Sequence, residues 1–395
     1  MRRNRTKLPI KPFLFVAAIV LAGIMIFNSG LLVSMGLMKG NIPEGIGIDP
    51  SDPRVIEKVD EAVDRNAIKD TVNKVLNLIT GRVDQGVVTV IAHDAAKGFY
   101  VSGFTFELQD AITKQVIEVL TTDEEGKATS EPINYRKAYR IVQVGTAKAY
   151  ADTNQEIVFE MKAPIMELRL EQKIGNLVRD YVRNPDGSIK ITEMMMEVPL
   201  ILQKPELPNG CEIVSLASIL NYLAYPVDAG TLSDSFLDKS PFYRRNGKLY
   251  GADPDVAFSG DPRDPAGWFV YAPPTVKAGQ AYIDEVSGNH VVVDITGSTE
   301  SEVMRYIEEG IPVAIWATRD LSPAKYSYGW YLEADDRYFE AATNLHCMVI
   351  YGFVGDQLYV MDPLEGNMIY DQATFFMSYE SLGSRALVVE EKTNE

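Results

Sequence analysis

Thiol and imidazole are scarce in this 395-residue chain, which has two cysteines, Cys211 and Cys347, and three histidines, His93, His290 and His346. Two cysteines allow one disulfide at most. Strand alternation opposes even that one, because His346 and Cys347 are neighbours and point to opposite faces of a strand. No C-x-x-C or H-x-x-x-H spacing exists, so a zinc site lacks its framework. The carboxylates Asp253, Asp255, Asp261 and Asp264 lack the spacing of a calcium loop and read as turn residues. Lysine and arginine cluster nowhere beyond the first dozen residues, and the formal charge is −17. An acidic body of this kind excludes nucleic-acid binding, which needs cationic groups to neutralise phosphate. Neither metal nor other cofactor is expected.

Long hydrophobic runs are also few. Phe13 to Met38 contains no charge over 26 residues, enough to cross a bilayer core. Arg2, Arg3, Arg5, Lys7 and Lys11 precede it and favour a cytoplasmic N-terminus, with the rest of the chain outside. A cleaved signal peptide is the rival reading, but no clear small-x-small site precedes Asn41. The expected organisation is a basic tail and transmembrane signal anchor at 1–40, then a linker and helical stalk at 41–85. A small β-sandwich follows at 86–165, a connector at 166–197, and an α+β domain at 198–395.

The sandwich is read from short alternating runs, Val87–Ile91, Phe104–Leu108, Val116–Leu120, Tyr139–Val144 and Ile157–Met161, separated by turn signals such as Asp123-Glu-Glu-Gly126. The connector shows mixed helical spacing over Leu168–Arg183 and a strong turn at Pro185-Asp-Gly-Ser188. His93 reads as a surface or edge residue, and His290, beside three valines, as a structural one.

Cys211 carries the chemistry. An apolar run ends at Gln203, a Pro-, Asn- and Gly-containing turn follows, and Ile213, Leu216, Ala217, Leu220 and Leu223 then repeat with helical spacing. A thiol on the first turn of a helix meets unpaired N–H groups and the positive end of the dipole, which favour the nucleophilic thiolate. His346 stands in Asn344-Leu-His-Cys-Met-Val-Ile-Tyr-Gly-Phe353, a strand pattern. Asp362 ends another short strand sixteen residues later, and a hairpin around Gly355-Asp356 would bring the two together. Gln203 could donate its amide to an oxyanion beside the Cys211 N–H. Thr299-Glu-Ser-Glu302 is a capping box opening a further helix, and Val313–Ala317 reads as a central strand. The stretch 240–280, dense in Gly, Pro, Asp and aromatics, would wall a cleft, with Tyr250, Phe258 and Trp268 as substrate contacts.

The motifs Val198-Pro-Leu-Ile-Leu-Gln203, Pro208-Asn-Gly-Cys211-Glu, Gly251-Ala-Asp-Pro-Asp-Val-Ala-Phe-Ser-Gly-Asp261, Glu309-Gly-Ile-Pro-Val-Ala-Ile-Trp316, His346–Phe353 and Tyr359-Val-Met-Asp362-Pro occur in collinear blocks. Together they resemble the papain-like cysteine peptidases of the bacteriocin-processing, double-glycine family (peptidase family thirty-nine), in particular its stand-alone exported branch. The resemblance spans about half the chain, Val198 to Val389. It implies Cys211 as nucleophile, His346 as base, Asp362 as its orienter and Gln203 as oxyanion donor, acting on a peptide or protein. The segment Phe104-Thr-Phe-Glu-Leu-Gln-Asp110, Leu120–Ala128 and Tyr139-Arg-Ile-Val142 is similar to prealbumin-like modules (SpaA or Cna-B type) of Gram-positive surface proteins. The lysine and asparagine of their isopeptide crosslink are absent here, although Glu107 resembles the assisting acid. Such a module implies spacing or adhesion at the cell surface. Three functions therefore stay open: peptide hydrolysis, acyl transfer or transamidation by the same thiol, and a non-catalytic adhesin.

Overall fold

Period-two alternation, visible from the first ordered strand, builds the N-terminal half of the structure. The computed structural model describes residues 85–392. The expected tail and membrane anchor (1–40), and the stalk but for Gln85, lie outside the described residues. Among the described residues, no helix is long and apolar enough to cross a membrane.

In β1 (Gln85–Asp94) the side chains of Val88, Val90 and Ala92 are fully buried, and in β2 (Thr105–Asp110) those of Phe106 and Leu108. The strands β3 (Val116–Thr121), β4 (Lys127–Thr129), β5 (Ile133–Asn134), β6 (Ala138–Gly145) and β7 (Glu156–Glu160) complete most of two sheets. One has the order β3-β2-β6-β7; in the other, β1 is flanked by β4 and β5. Their inner faces share one core with Phe104, Tyr139, Ile141 and Met161.

The connector departs from expectation. Leu168–Arg183 is not helical: β8 (Ile165–Gln172) runs parallel to β1 from Val87↔Ile165 to Asp94↔Gln172. Met166, Leu168 and Leu170 alternate with Glu167, Arg169 and Glu171, which is a strand period. A hairpin of β9 (Val178–Arg183) and β10 (Ile189–Met195) follows. The anticipated turn at Pro185–Ser188 closes it, with Asn184 N–H donating to the Ser188 carbonyl at 2.9 Å.

That hairpin joins the two halves. Tyr181 and Ile189 pack in the sandwich core, whereas Ile191, Met194 and Met196 pack in the core of the C-terminal domain. Asp94, 1 % exposed, accepts from the Tyr150 hydroxyl and the Tyr181 hydroxyl, each at 2.8 Å, and from the Ala96 and Lys97 N–H groups. Burial pushes its carboxyl upward, but these donors outweigh it and hold the pKa below the ordinary value.

In the C-terminal domain, α1 (Cys211–Tyr222) packs on β16 (Val313–Thr318) and β19 (Leu345–Val354). The expected central strand is β16, buried at every position. The sheet runs β15 (His290–Asp294), β22 (Ala386–Glu391), β16, β19, β10, β9, with β20 (Gln357–Asp362) and β21 (Gly366–Asp371) branching from β19. His290 sits in β15 with Nδ1 2.7 Å from the Tyr225 hydroxyl, a structural placement. Helices α2 (Ala229–Ser235) and α3 (Ala272–Glu285) flank α1. α4 (Glu300–Glu308) starts with the anticipated capping box of Thr299 and Glu302, and α5 (Gln372–Ser381) packs on β16.

The segment 240–280 is more regular than a loop. It contributes β11 (Lys239–Ser240), β12 (Tyr243–Arg245), β13 (Lys248–Gly251) and β14 (Phe258–Ser259). With β17 (Tyr326–Leu332) and β18 (Tyr338–Ala342), β12 and β13 form an outer sheet in the order β12-β13-β17-β18. Asp253, Asp261 and Asp264 each accept a backbone N–H two residues on, as turn residues do.

Replacing Asp94 by Ala strands two buried hydroxyls and two N–H groups, and should cost about 3 kcal/mol of stability at pH 7. Because the native pKa of Asp94 is depressed, its contribution is complete above the unfolded value near 4 and is lost as pH falls below it. Urea melts of wild type and Asp94→Ala should therefore converge on acidification. A gap that is constant or widens toward pH 3 would contradict the role given to this carboxylate.

Candidate active site

Cys211 is the first residue of α1. Gly210, before it, offers no side-chain cap, so the first-turn N–H groups are left for other acceptors. The approach to the helix is tied at several points. Gln203 N–H donates to the Pro363 carbonyl at 2.9 Å, Leu207 N–H to the Gln203 carbonyl at 2.7 Å, and Gly210 N–H to the Leu207 carbonyl at 2.9 Å. The Gln203 side chain, 3 % exposed, donates Nε2–H to the Pro208 carbonyl at 2.6 Å, while its Oε1 has no partner.

His346 and Asp362 meet through sheet register. Val349 pairs with Met361 across β19 and β20, and the turn at Gly355-Asp356 closes the hairpin as expected. Each is 2 % exposed, and His346 Nε2 lies 2.8 Å from Asp362 Oδ1. The same oxygen accepts Leu364 N–H at 2.7 Å and Glu365 N–H at 3.2 Å. Burial raises the Asp362 pKa, but the His346 ring and these N–H groups more than offset it, so the carboxyl titrates below its ordinary range. With Nε2 taken by the carboxylate, Nδ1 is the ring nitrogen left to exchange a proton.

Cys211, His346 and Gln203 line one cavity of about 290 Å³, walled further by Trp268, Phe269 and Arg319. Asp362 lies behind His346 and lines an adjoining hollow with Arg319 and Asn344. The structure thus brings together all four residues expected to carry chemistry. Of the expected substrate contacts, Trp268 is in the wall, stacked on Tyr328 at 4.6 Å between ring centroids. Phe258 is not: it is wholly buried in the domain core. Tyr250 is 4 % exposed and lies in the outer sheet between Tyr243 and Tyr331, away from the cavity. Arg319 and Phe269 were not singled out by sequence; only a position just past the central strand marks Arg319.

The state of the thiol also departs from expectation. Burial pushes the Cys211 thiol well above its ordinary pKa, and the Glu212 carboxyl and Cys347 thiol push it further. The Cys347 N–H opposes them but does not prevail. Desolvation thus works against the helix start and disfavours the thiolate. Both cysteines are free, and Cys347 is wholly buried in the core as alternation requires. Glu212, also wholly buried, was missed by sequence. Its signal was present: it stands four and eight residues before Leu216 and Leu220, on the inward face of α1.

Residues 195–387 match the model of the Peptidase_C39 like family. They form a Peptidase C39-like domain. Over 225 residues, 56 % of this chain, it is 28 % identical to the uncharacterized protein YvpB of Bacillus subtilis (strain 168), covering 86 % of that protein. A crystal structure described as a C39-like peptidase from Bacillus anthracis shares 25 % identity, covering 51 % of this chain and 99 % of that one, at a TM-score of 0.45. A double-glycine-motif protease from an AMS/PCAT transporter, solved with a leader peptide, shares 18 %, covering 51 % and 100 %, at a TM-score of 0.29.

In the native C39-like domain a thiol reagent should modify Cys211, which is 7 % exposed, well before Cys347, which is 0 % exposed. Peptide mapping by mass spectrometry after brief iodoacetamide treatment checks this. Equal or inverted labelling would show that the cavity does not open onto the sulfur as described.

Proposed function

We propose that the chain is a cysteine peptidase that hydrolyses peptide bonds through Cys211, His346 and Asp362. The reading rests chiefly on one observation: a buried imidazole is bonded to a carboxylate through one nitrogen and shares a cavity with a thiol at a helix start. His346 Nδ1 takes the thiol proton as the sulfur attacks the scissile carbonyl carbon. The carbonyl electrons move to oxygen, which receives the Cys211 N–H and the free amide hydrogen of Gln203. Collapse of this intermediate breaks the C–N bond, His346 returns the proton to the leaving amine, and a thioester remains. Water, deprotonated by the same ring, releases the acid and restores the thiol. A raised thiol pKa makes the base indispensable, since little sulfur ionises unaided.

In the same reading, residues 1–40 anchor the protein in the cell membrane with its bulk outside. The sandwich serves as a prealbumin-like spacer of the SpaA or Cna-B kind, and the C39-like domain is of the stand-alone exported branch. Tight coupling of the sandwich to the C39-like domain through β9 and β10 suits a spacer, and a basic start without acidic residues before an uncharged run suits an anchor.

Purified protein incubated with a peptide library should release fragments detectable by mass spectrometry. Cys211→Ala and His346→Ala should each lower the rate by about 10⁴-fold or more, and Gln203→Ala by about 10²-fold. Retained cleavage in Cys211→Ala sinks the assignment. Products bearing an added amine, in place of free acids, would redirect it to acyl transfer.

A further inference from the structure

The mechanism leaves one buried acid unused. Glu212 follows the nucleophile on α1, is 0 % exposed, and its Oε1 accepts the Val270 N–H at 3.2 Å. Its Oε2 is buried with no hydrogen-bond partner, and no basic side chain pairs with Glu212 among the described residues. Val270 continues the cavity wall of Trp268 and Phe269, and its carbonyl accepts the Trp316 Nε1–H at 2.9 Å. The carboxyl therefore clamps the cleft wall to the nucleophile helix.

A lone carboxylate in such a place would keep one hydrogen bond and no counter-ion, which is costly, whereas the neutral acid has a hydrogen to give. The groups facing it are few. α1 supplies the Cys211 thiol, and β19 supplies the Cys347 thiol and, across the cavity, His346. β16 has no ionisable side chain. The wall segment carries Tyr271, whose ring is covered by Arg385. On α2 and α3, Asp234 pairs with Arg263, Lys277 with Asp238 and Asp284 with Lys392, Glu285 is exposed, and the Tyr282 hydroxyl donates to the Pro226 carbonyl. Nothing cationic offsets a negative Glu212, so the thiol and the acid compete over one negative charge.

We propose that Glu212 is a positioning residue whose charge sets how readily the neighbouring Cys211 ionises. As a neutral acid it holds the Val270 wall and leaves the forming thiolate with no like charge beside it; as a carboxylate it keeps the sulfur protonated and inert. The proposal rests on Cys211 being the nucleophile. Burial pushes the Glu212 carboxyl up to about 7, against donation from backbone N–H groups, Val270 among them, in keeping with exchange between the two states near neutrality. Below that point Glu212 is uncharged and His346 can draw off the thiol proton without opposition. Above it, a thiolate would form beside a second negative charge.

The test is the pH profile of Cys211 alkylation by iodoacetamide from pH 5 to 10, followed by peptide mapping, in wild type and Glu212→Gln. Glutamine keeps an acceptor for Val270 N–H and a donor at the other position, but cannot become negative. Removal of a like charge at this range should lower the apparent thiol pKa by about one unit and speed alkylation at pH 8 about tenfold. A superimposable or upward-shifted profile overturns the proposal, since a purely structural role would leave the ionisation of the sulfur unmoved. If Glu212→Gln does not fold, ¹³C NMR titration of the Glu212 carboxyl in wild type decides: an inflection near pH 7 supports it, one at the ordinary glutamate value overturns it. Alkylation does not require peptide cleavage. A shifted profile without hydrolysis sinks only the peptidase reading, and hydrolysis with an unshifted profile sinks only the role of Glu212.

Discussion

The hydrogen-bonded ladder around β19 is the constraint on which the C-terminal domain depends. One edge of this strand pairs with β16, as Ala317↔His346 and Trp316↔Cys347, and it also pairs with β20, as Val349↔Met361. Side chains alternate across the ladder, so a slip of one residue would exchange His346 for Cys347. The imidazole would then enter the core and the buried thiol would face the cavity. The surrounding apolar residues, Met348, Val349 and Ile350, are all nearly or wholly buried, which makes such a slip prohibitive. The placement of the imidazole at the cavity is thus enforced by ordinary hydrophobic packing several residues away.

A second set of restraints acts on the chain before the nucleophile. Gln203 is bound through its own N–H to the carbonyl of Pro363, the residue after Asp362. The strand that supplies the carboxylate and the loop that supplies the amide are therefore fixed to each other. Trp268 and Phe269 close the cavity from a third direction, held through Val270 to both Glu212 and Trp316.

Much of this was legible in sequence because it rests on local signals. The helix from Cys211, the box at Thr299 and Glu302, and the hairpin carrying His346 and Asp362 each lie within a short window. The strands β8 and β9 were not legible. Met166, Leu168 and Leu170 do alternate, but Leu177, Val178, Tyr181 and Val182 beyond them follow helical spacing, and the partner that settles β8 is β1, some eighty residues earlier. Phe258 misled for a related reason: its Gly-, Pro- and Asp-rich surroundings look exposed, and only tertiary packing buries it. The helix start at Cys211 is visible in sequence, whereas the burial that raises its thiol pKa is not.

The β9–β10 hairpin has a mechanical consequence. Tyr181 is rooted in one core, Met194 in the other, and β10 pairs directly with β19 at Gly352, Phe353 and Val354. Traction applied to the sandwich would travel through this hairpin into the strand that bears the imidazole. The hairpin is thus the route by which strain in one half would reach the cleft in the other.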